Sequence, residues 1–232
     1  MDIFSILCAC VAFQSGGNVD EDVFGRPPLR DRQRNLDPKE IISPYDRRGG
    51  ADRNDVQVST PSNGNQNEMV IRVSPVDRLH LIGGANDNRN GPYTCAFYSS
   101  FDGGLNWNEI FFPPPPQFGN AGDPAAAIGP NGEVYFCPLA FGSTSSIYVG
   151  FSPDGGLTVP NWVQAVPPGA TRFEDKQYMT ADTSGGLLSG ALYISWTRFR
   201  TSGVPIMVTA SFDGSQTWST PRRISDPPCQ RV

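Results

Sequence analysis

One phrase recurs three times along this chain. It reads Ser99-Ser100-Phe101-Asp102-Gly103-Gly104-Leu105-Asn106-Trp107, then Ser152-Pro153-Asp154-Gly155-Gly156-Leu157-Thr158 with the tryptophan delayed to Trp162, then Ser211-Phe212-Asp213-Gly214-Ser215-Gln216-Thr217-Trp218. The aspartates lie 52 and 59 residues apart. A period near fifty implies stacked or radially arrayed units, none of which buries its apolar face alone. Strand-like runs precede each copy (94–99, 146–151, 205–210) and follow it (109–112, 162–166, 222–224), so the phrase sits at a hairpin turn. There a carboxylate accepts bonds from turn N–H groups and glycine supplies positive φ without steric cost. Ser100, Asp102, Gly104, Trp107, Ser152, Asp154, Gly156, Trp162, Ser211, Asp213, Thr217 and Trp218 therefore read as structural, because an aspartate spent on its own turn is a poor catalytic acid.

The rest of the sequence is all-β in character. Apolar runs of strand length alternate with turn signals supplied by 25 glycines and 22 prolines, and no helical periodicity is sustained. Three four-stranded units can be counted: 69–73, 79–83, 94–99 and 109–112; then 125–128, 134–139, 146–151 and 162–166; then 177–181, 191–197, 205–210 and 218–224. Residues 56–59 read as an outer or closing strand, and Pro113 to Pro116 as a connection, since proline donates no ladder hydrogen bond.

Ser-x-Asp-x-Gly-x-Thr-Trp resembles the Asp-box, or bacterial neuraminidase repeat, and over roughly residues 56–226 the chain is similar to the sialidase-like β-propellers. Asn106, the interruption before Trp162, and Ser215 depart from the motif. The resemblance implies a β-propeller of four-stranded antiparallel blades, about three of them in residues 56–232, as a partial propeller. Sialidase-like propellers normally use six blades, so further blades or a partner chain are expected on the open faces.

Before the blades come a signal-like apolar segment at residues 1–17, which points to export, and an irregular arm or linker at 18–55. The apolar run is too short to span a membrane. Five cysteines (Cys8, Cys10, Cys95, Cys137, Cys229) form neither a disulfide framework nor a zinc pattern, and Cys95 and Cys137 read as small buried hydrophobes. A net charge of −5 with two lysines, Lys39 and Lys176, disfavours a nucleic-acid surface. A lone histidine, His80, leaves no multi-histidine zinc site and reads as a packed side chain.

Candidate functional residues come from the loops that lead into each innermost strand. Glu68, Asp123 and Asp175 are 55 and 52 residues apart, in blade register, which predicts an arc of carboxylates near the axis on the side opposite the aspartate turns. Loops between second and third strands add Asp87, Arg89, Arg198 and Arg200 to that side. Adjacent carboxylates raise one another's pKa and supply acid–base chemistry; arginines bind a sugar carboxylate in bidentate fashion. An acid repeated in every blade also fits a purely architectural tie. Glu174 has no counterpart in the other blades, so Glu174 and Asp175 are the catalytic candidates, and Glu68, Asp87, Arg89, Asp123, Arg198 and Arg200 the ligand-binding ones. Trp196, Phe199 and Tyr93 could line a sugar surface, with core packing as the default.

No dense oxygen cluster marks a metal site, and no cofactor motif is present; the acids are expected to be compensated by backbone N–H groups and arginine. Sialidases carry an arginine ahead of the first innermost strand, where this chain has Gln66-Asn67-Glu68-Met69-Val70-Ile71. The resulting expectation is an exported, sialidase-like propeller that acts on or binds glycans, of glycoside-hydrolase type if an enzyme. A non-catalytic scaffold or protein-interaction propeller is the alternative.

Overall fold

The computed structural model describes residues 56–60, 64–91 and 93–226. The leader-like segment, the whole of the arm, and Cys8, Cys10 and Cys229 lie outside the described residues. Twelve strands form three four-stranded antiparallel sheets, each in simple sequence order. The first holds β1 (Gln66–Val73), β2 (Leu81–Asp87), β3 (Cys95–Ser100) and β4 (Asn108–Phe111). The second holds β5 (Asn120–Ile128), β6 (Val134–Phe141), β7 (Ser145–Ser152) and β8 (Trp162–Val166). The third holds β9 (Arg172–Ala181), β10 (Leu192–Arg200), β11 (Ile206–Ser211) and β12 (Arg222–Arg223). Among the described residues there is no α-helix, only a 3₁₀ turn at Asn88–Asn90.

The sheets stack face to face as propeller blades. Because side chains alternate across a strand, each blade sends one set forward and one back. Ile82, Cys95 and Phe97 of blade one meet Ala126, Phe136 and Tyr148 of blade two, with the rings of Phe97 and Phe136 4.5 Å apart. From its other face blade two sends Cys137, Leu139 and Ile147 against Met179, Ile194 and Trp196 of blade three. Cys95 and Cys137 are free and buried, as small hydrophobes should be. The first strands β1, β5 and β9 meet one another between blades, which makes them the innermost, axial strands.

The three aspartate turns fall between third and fourth strands and are built alike. In the second, Ser152 Oγ donates to Asp154 Oδ1 (2.7 Å) and accepts from Gly156 N–H (2.7 Å), while Asp154 Oδ1 accepts from Leu157 and Thr158 N–H at 3.0 and 2.8 Å. Asp102 and Asp213 repeat the arrangement with Ser100 and Ser211. The fourth residue after the turn serine has positive φ each time: 89° at Gly104, 104° at Gly156 and 70° at Ser215. The second turn also pins blade one, since His80 Nε2 donates to the Gly155 carbonyl (2.7 Å) and stacks on Phe101.

Two boundaries differ from expectation. Residues 56–60 form no strand; Thr60 instead bonds Glu109, Oγ1 to Oε1 at 2.8 Å, and Arg89, whose Nη1 reaches the Thr60 carbonyl at 2.8 Å. Each innermost strand begins earlier than its apolar run, at Gln66, Asn120 and Arg172. The polar residues Asn67, Glu68, Gly122, Asp123, Glu174 and Asp175 are therefore strand residues and not loop residues. A β-bulge lets the ladder run on past them.

Candidate functional site on the axial strands

Each innermost strand slips register once near its start: between Asn67 and Val70 in β1, and between Gly122 and Ala125 in β5. In the third blade Asp175 pairs with Thr197, and the next pairing is Tyr178 with Ser195. One residue in each bulge takes a left-handed backbone: Glu68 (φ 53°), Asp123 (φ 48°) and Lys176 (φ 50°). Such a conformation is costly for a residue with a Cβ, and non-glycine examples cluster at functional sites. The blade-equivalent set is thus Glu68, Asp123 and Lys176. Asp175 belongs one position earlier, level with Asn67 and Gly122, so the expected arc of three equivalent acids is corrected to two acids and a lysine.

These groups converge. Lys176 Nζ donates to Glu68 Oε2 at 2.8 Å, and the Lys176 N–H donates to Asp123 Oδ2 at 3.2 Å. Asn86, from the end of β2, accepts the Asp123 N–H at 2.7 Å and donates to Asn67 Oδ1 at 2.9 Å. The Gln177 amide donates to the carbonyls of Asp123 and Cys137. Compensation of the acids therefore comes from a lysine and backbone N–H, with no arginine in the cluster.

Asp123 is the unusual group. Burial, then a hydrogen bond with Glu68 and that carboxylate's charge, push its pKa up from 3.8 to about 7. Glu68 moves the opposite way, held below its ordinary value by the hydrogen bond from Asp123 and by Lys176. Glu68 and burial therefore favour the neutral form of Asp123, with Asp175 as a further hydrogen-bonding neighbour. Among the described residues no group of three or more His, Cys, Asp or Glu side chains is arranged to hold a metal ion.

The other expected site residues are committed elsewhere. Glu174 is fully enclosed: Trp196 Nε1 donates to Oε2 at 2.6 Å, Arg198 Nε donates to Oε1 at 2.9 Å, and Arg172 Nε lies 2.9 Å from Oε1. Trp196 is buried, so its default packing role holds. A substrate atom does not reach Glu174 in this arrangement, and the carboxylate acts as the hub that ties β9 to β10. Asp87 is likewise buried; the effect of burial is outweighed by bonds from Arg89, Gln66 and Tyr98, and its pKa falls to about 2. Arg89 spans Asp87 and Glu109 at 2.6 and 2.7 Å. Of the three candidate arginines only Arg200 is exposed, and Tyr93 and Phe199 are exposed aromatics. Lys176 and Asn86 were not singled out as site residues by the sequence; the one available signal was the 53-residue spacing from Asp123 to Lys176.

No protein-family model and no curated protein sequence matches the chain. Solved structures do resemble it, and together with the three stacked blades they define the class: a β-propeller. An α-L-arabinanase of Penicillium chrysogenum, solved with arabinobiose, has a TM-score of 0.53 at 17% identity over 75% of this chain and 54% of its own. An α-L-arabinofuranosidase of Fusarium graminearum, solved with an iminosugar inhibitor, gives 0.53 at 17% over 72% and 52%. A microbial sialidase gives 0.53 at 14% over 68% and 38%. The chain thus spans about half the length, or less, of these three structures.

Proposed function

We propose that the axial end of this propeller binds glycans and that Asp123 is the proton donor of a glycoside-hydrolase-type site. The observation that carries the reading is the half-buried carboxyl pair on the axial bulges: cleavage of a glycosidic bond needs a carboxylic acid still protonated near neutral pH, and burial and Glu68 raise Asp123 toward that range. Asp123 and Glu68 touch, whereas two carboxyls flanking a scissile bond stand about 5–5.5 Å apart in retaining and roughly 6.5–9.5 Å apart in inverting enzymes. The pair therefore works as one acid, Glu68 tuning it, and the second carboxylate comes from outside these three blades. On this reading the three blades alone bind sugar and turn it over weakly or not at all.

A neutral glycan suits the site better than a sialic acid. Glu68 stands where the sialidase resemblance requires an arginine, and Arg89 and Arg198 are both spent on internal carboxylates. Two similar structures were solved with arabinobiose and with an iminosugar inhibitor, which supports a sugar-binding role. Export, suggested by residues 1–17, is part of the proposal, and among the described residues no helix is long and apolar enough to cross a membrane.

Calorimetric titration of the 232-residue chain with arabinobiose and with sialyllactose, beside a panel of p-nitrophenyl glycosides, tests this. Binding of arabinobiose or another neutral oligosaccharide that weakens about tenfold or more in Asp123→Ala is expected. A folded chain that binds no glycan would make it a scaffold propeller.

A further inference from the structure

Repetition lets one seam between blades be compared with the next, and at the aspartate-turn end the two seams are closed differently. Pairing of Leu81 with Ser100 and of Val134 with Ser152 makes His80 and Ile82 of blade one equivalent to Glu133 and Tyr135 of blade two. The turns make Phe101 equivalent to Pro153, and Gly155 to Gly214. Between blades one and two, His80 Nε2 donates to the Gly155 carbonyl at 2.7 Å and its ring stacks on Phe101 at 4.7 Å, so imidazole and phenyl plug the seam. Between blades two and three a carboxylate stands for the imidazole and a proline for the phenyl. A side chain at Gly155 would collide with the Phe101 ring, whereas one at Gly214 would meet only the Tyr135 hydroxyl, at 3.7 Å. Where the plug is missing lies a cavity of about 460 Å³, bounded by Glu133, Tyr135, Phe212, Gly214 and residues 187–191 of the long connection between β9 and β10.

The cavity wall is rich in acceptors and poor in donors. Glu133 is its one charged residue; partial burial raises its pKa, but bonds from the Asn131 side chain and backbone N–H outweigh this and keep it ionised. The N–H groups of Gly129, Ser189, Gly190 and Ala191 are already donated to carbonyls of their own turns. Tyr135 is 6% exposed, and its hydroxyl has no hydrogen-bond partner among the described residues. The Gly214 carbonyl accepts no bond among the described residues either, whereas its equivalent at Gly155 takes the His80 N–H. Buried polar groups left in this way are costly and call for a partner. We propose that the cavity binds a small protonated nitrogen base, an ammonium or imidazolium on an apolar body, in the place that His80 fills one seam earlier. Its N–H groups face Glu133 and the Gly214 carbonyl, the rings of Tyr135 and Phe212 favour the cation, and Leu187 and Leu188 receive the apolar body. A neutral sugar would need the donors that this wall has spent, and an anion would be repelled by Glu133. The cavity lies where β5 turns into β6, away from Asp123 near the start of β5, and the inference is independent of any glycan.

Calorimetric titration of the full chain with benzylamine, protonated at neutral pH, and with its neutral isostere benzyl alcohol tests the proposal. A blocked lysine amide presents the same ammonium as a side chain, and the tighter of the two amines identifies the source. The expected Kd for the better amine is about 1 mM or tighter, at least about tenfold below that of benzyl alcohol. Glu133→Gln should weaken amine binding at least about tenfold and Tyr135→Phe about threefold, while Asp123→Ala should leave it unchanged. Glu133→His combined with Pro153→Phe rebuilds the plug of the first seam, and should abolish binding while keeping or raising the melting temperature. No saturable binding of either amine, equal binding of benzyl alcohol, or undiminished binding in a folded Glu133→Gln or plugged variant would each overturn the proposal.

Discussion

Asp123 combines a left-handed backbone with a raised pKa, and both follow from its place on a bulge between two other blades. Glu68 and Lys176 reach it from either side, and burial removes the water that would otherwise favour ionisation. Glu68→Gln should therefore lower the Asp123 pKa by removing the like charge, whereas Lys176→Met should raise that of Glu68 by removing its cation. The spacing of Glu68 and Asp123 was legible in the sequence. Lys176 was not, because a lysine is no usual choice for a left-handed position, and an acid one residue earlier offered a plausible match. Two turn residues give residue-scale checks on stability. Ser152→Ala removes an oxygen that serves both Asp154 and the Gly156 N–H in a buried site, and should cost about 1–2 kcal/mol in chemical denaturation. Ser215→Gly relieves a side chain at φ 70° where the sister turns have glycine, and should gain about 0.5 kcal/mol.

Elements were read from the sequence by their apolar cores and lost at their polar ends. The runs at 69–73, 125–128 and 177–181 located every innermost strand, but the strands run on through Asn67, Gly122 and Glu174, residues with poor β-propensity. Tertiary pairing and the bulge override that preference. The burial of Glu174 was illegible for a related reason: sequence gives no sign that Arg172, Trp196 and Arg198, from two strands, would close around one carboxylate. Its replacement is accordingly a fold experiment. Glu174→Gln leaves Arg198, nearly buried, and Arg172 without their counter-charge, and should destabilise by about 3–5 kcal/mol in a denaturant titration, by loosening β9 from β10. A variant as stable as wild type would show that the arginines find other partners.

For the whole molecule, the two ends of the propeller respond to pH with opposite sign. Asp102, Asp154 and Asp213 are held at about 2, the first chiefly by the Asn106 N–H, the second by Thr158 against slight burial, the third by the Thr217 hydroxyl. Depressed carboxylates stabilise the fold above their ordinary 3.8, and that contribution is lost as pH falls toward 2. Asp123 is raised, so its contribution is present below 3.8 and is lost as pH rises through about 7. The melting temperature should peak between these limits on the acid side of neutrality. Asp123→Asn should flatten the alkaline limb alone; an unchanged limb would assign it to another group.

The raised pKa of Asp123 is the claim from which the proposed chemistry follows, and carbon-detected NMR titration of its side-chain carboxyl measures it without a substrate. The account predicts an apparent midpoint near 7 and a clear fall toward the ordinary carboxylate range in Glu68→Gln. A midpoint near 4, unchanged by that substitution, would contradict it.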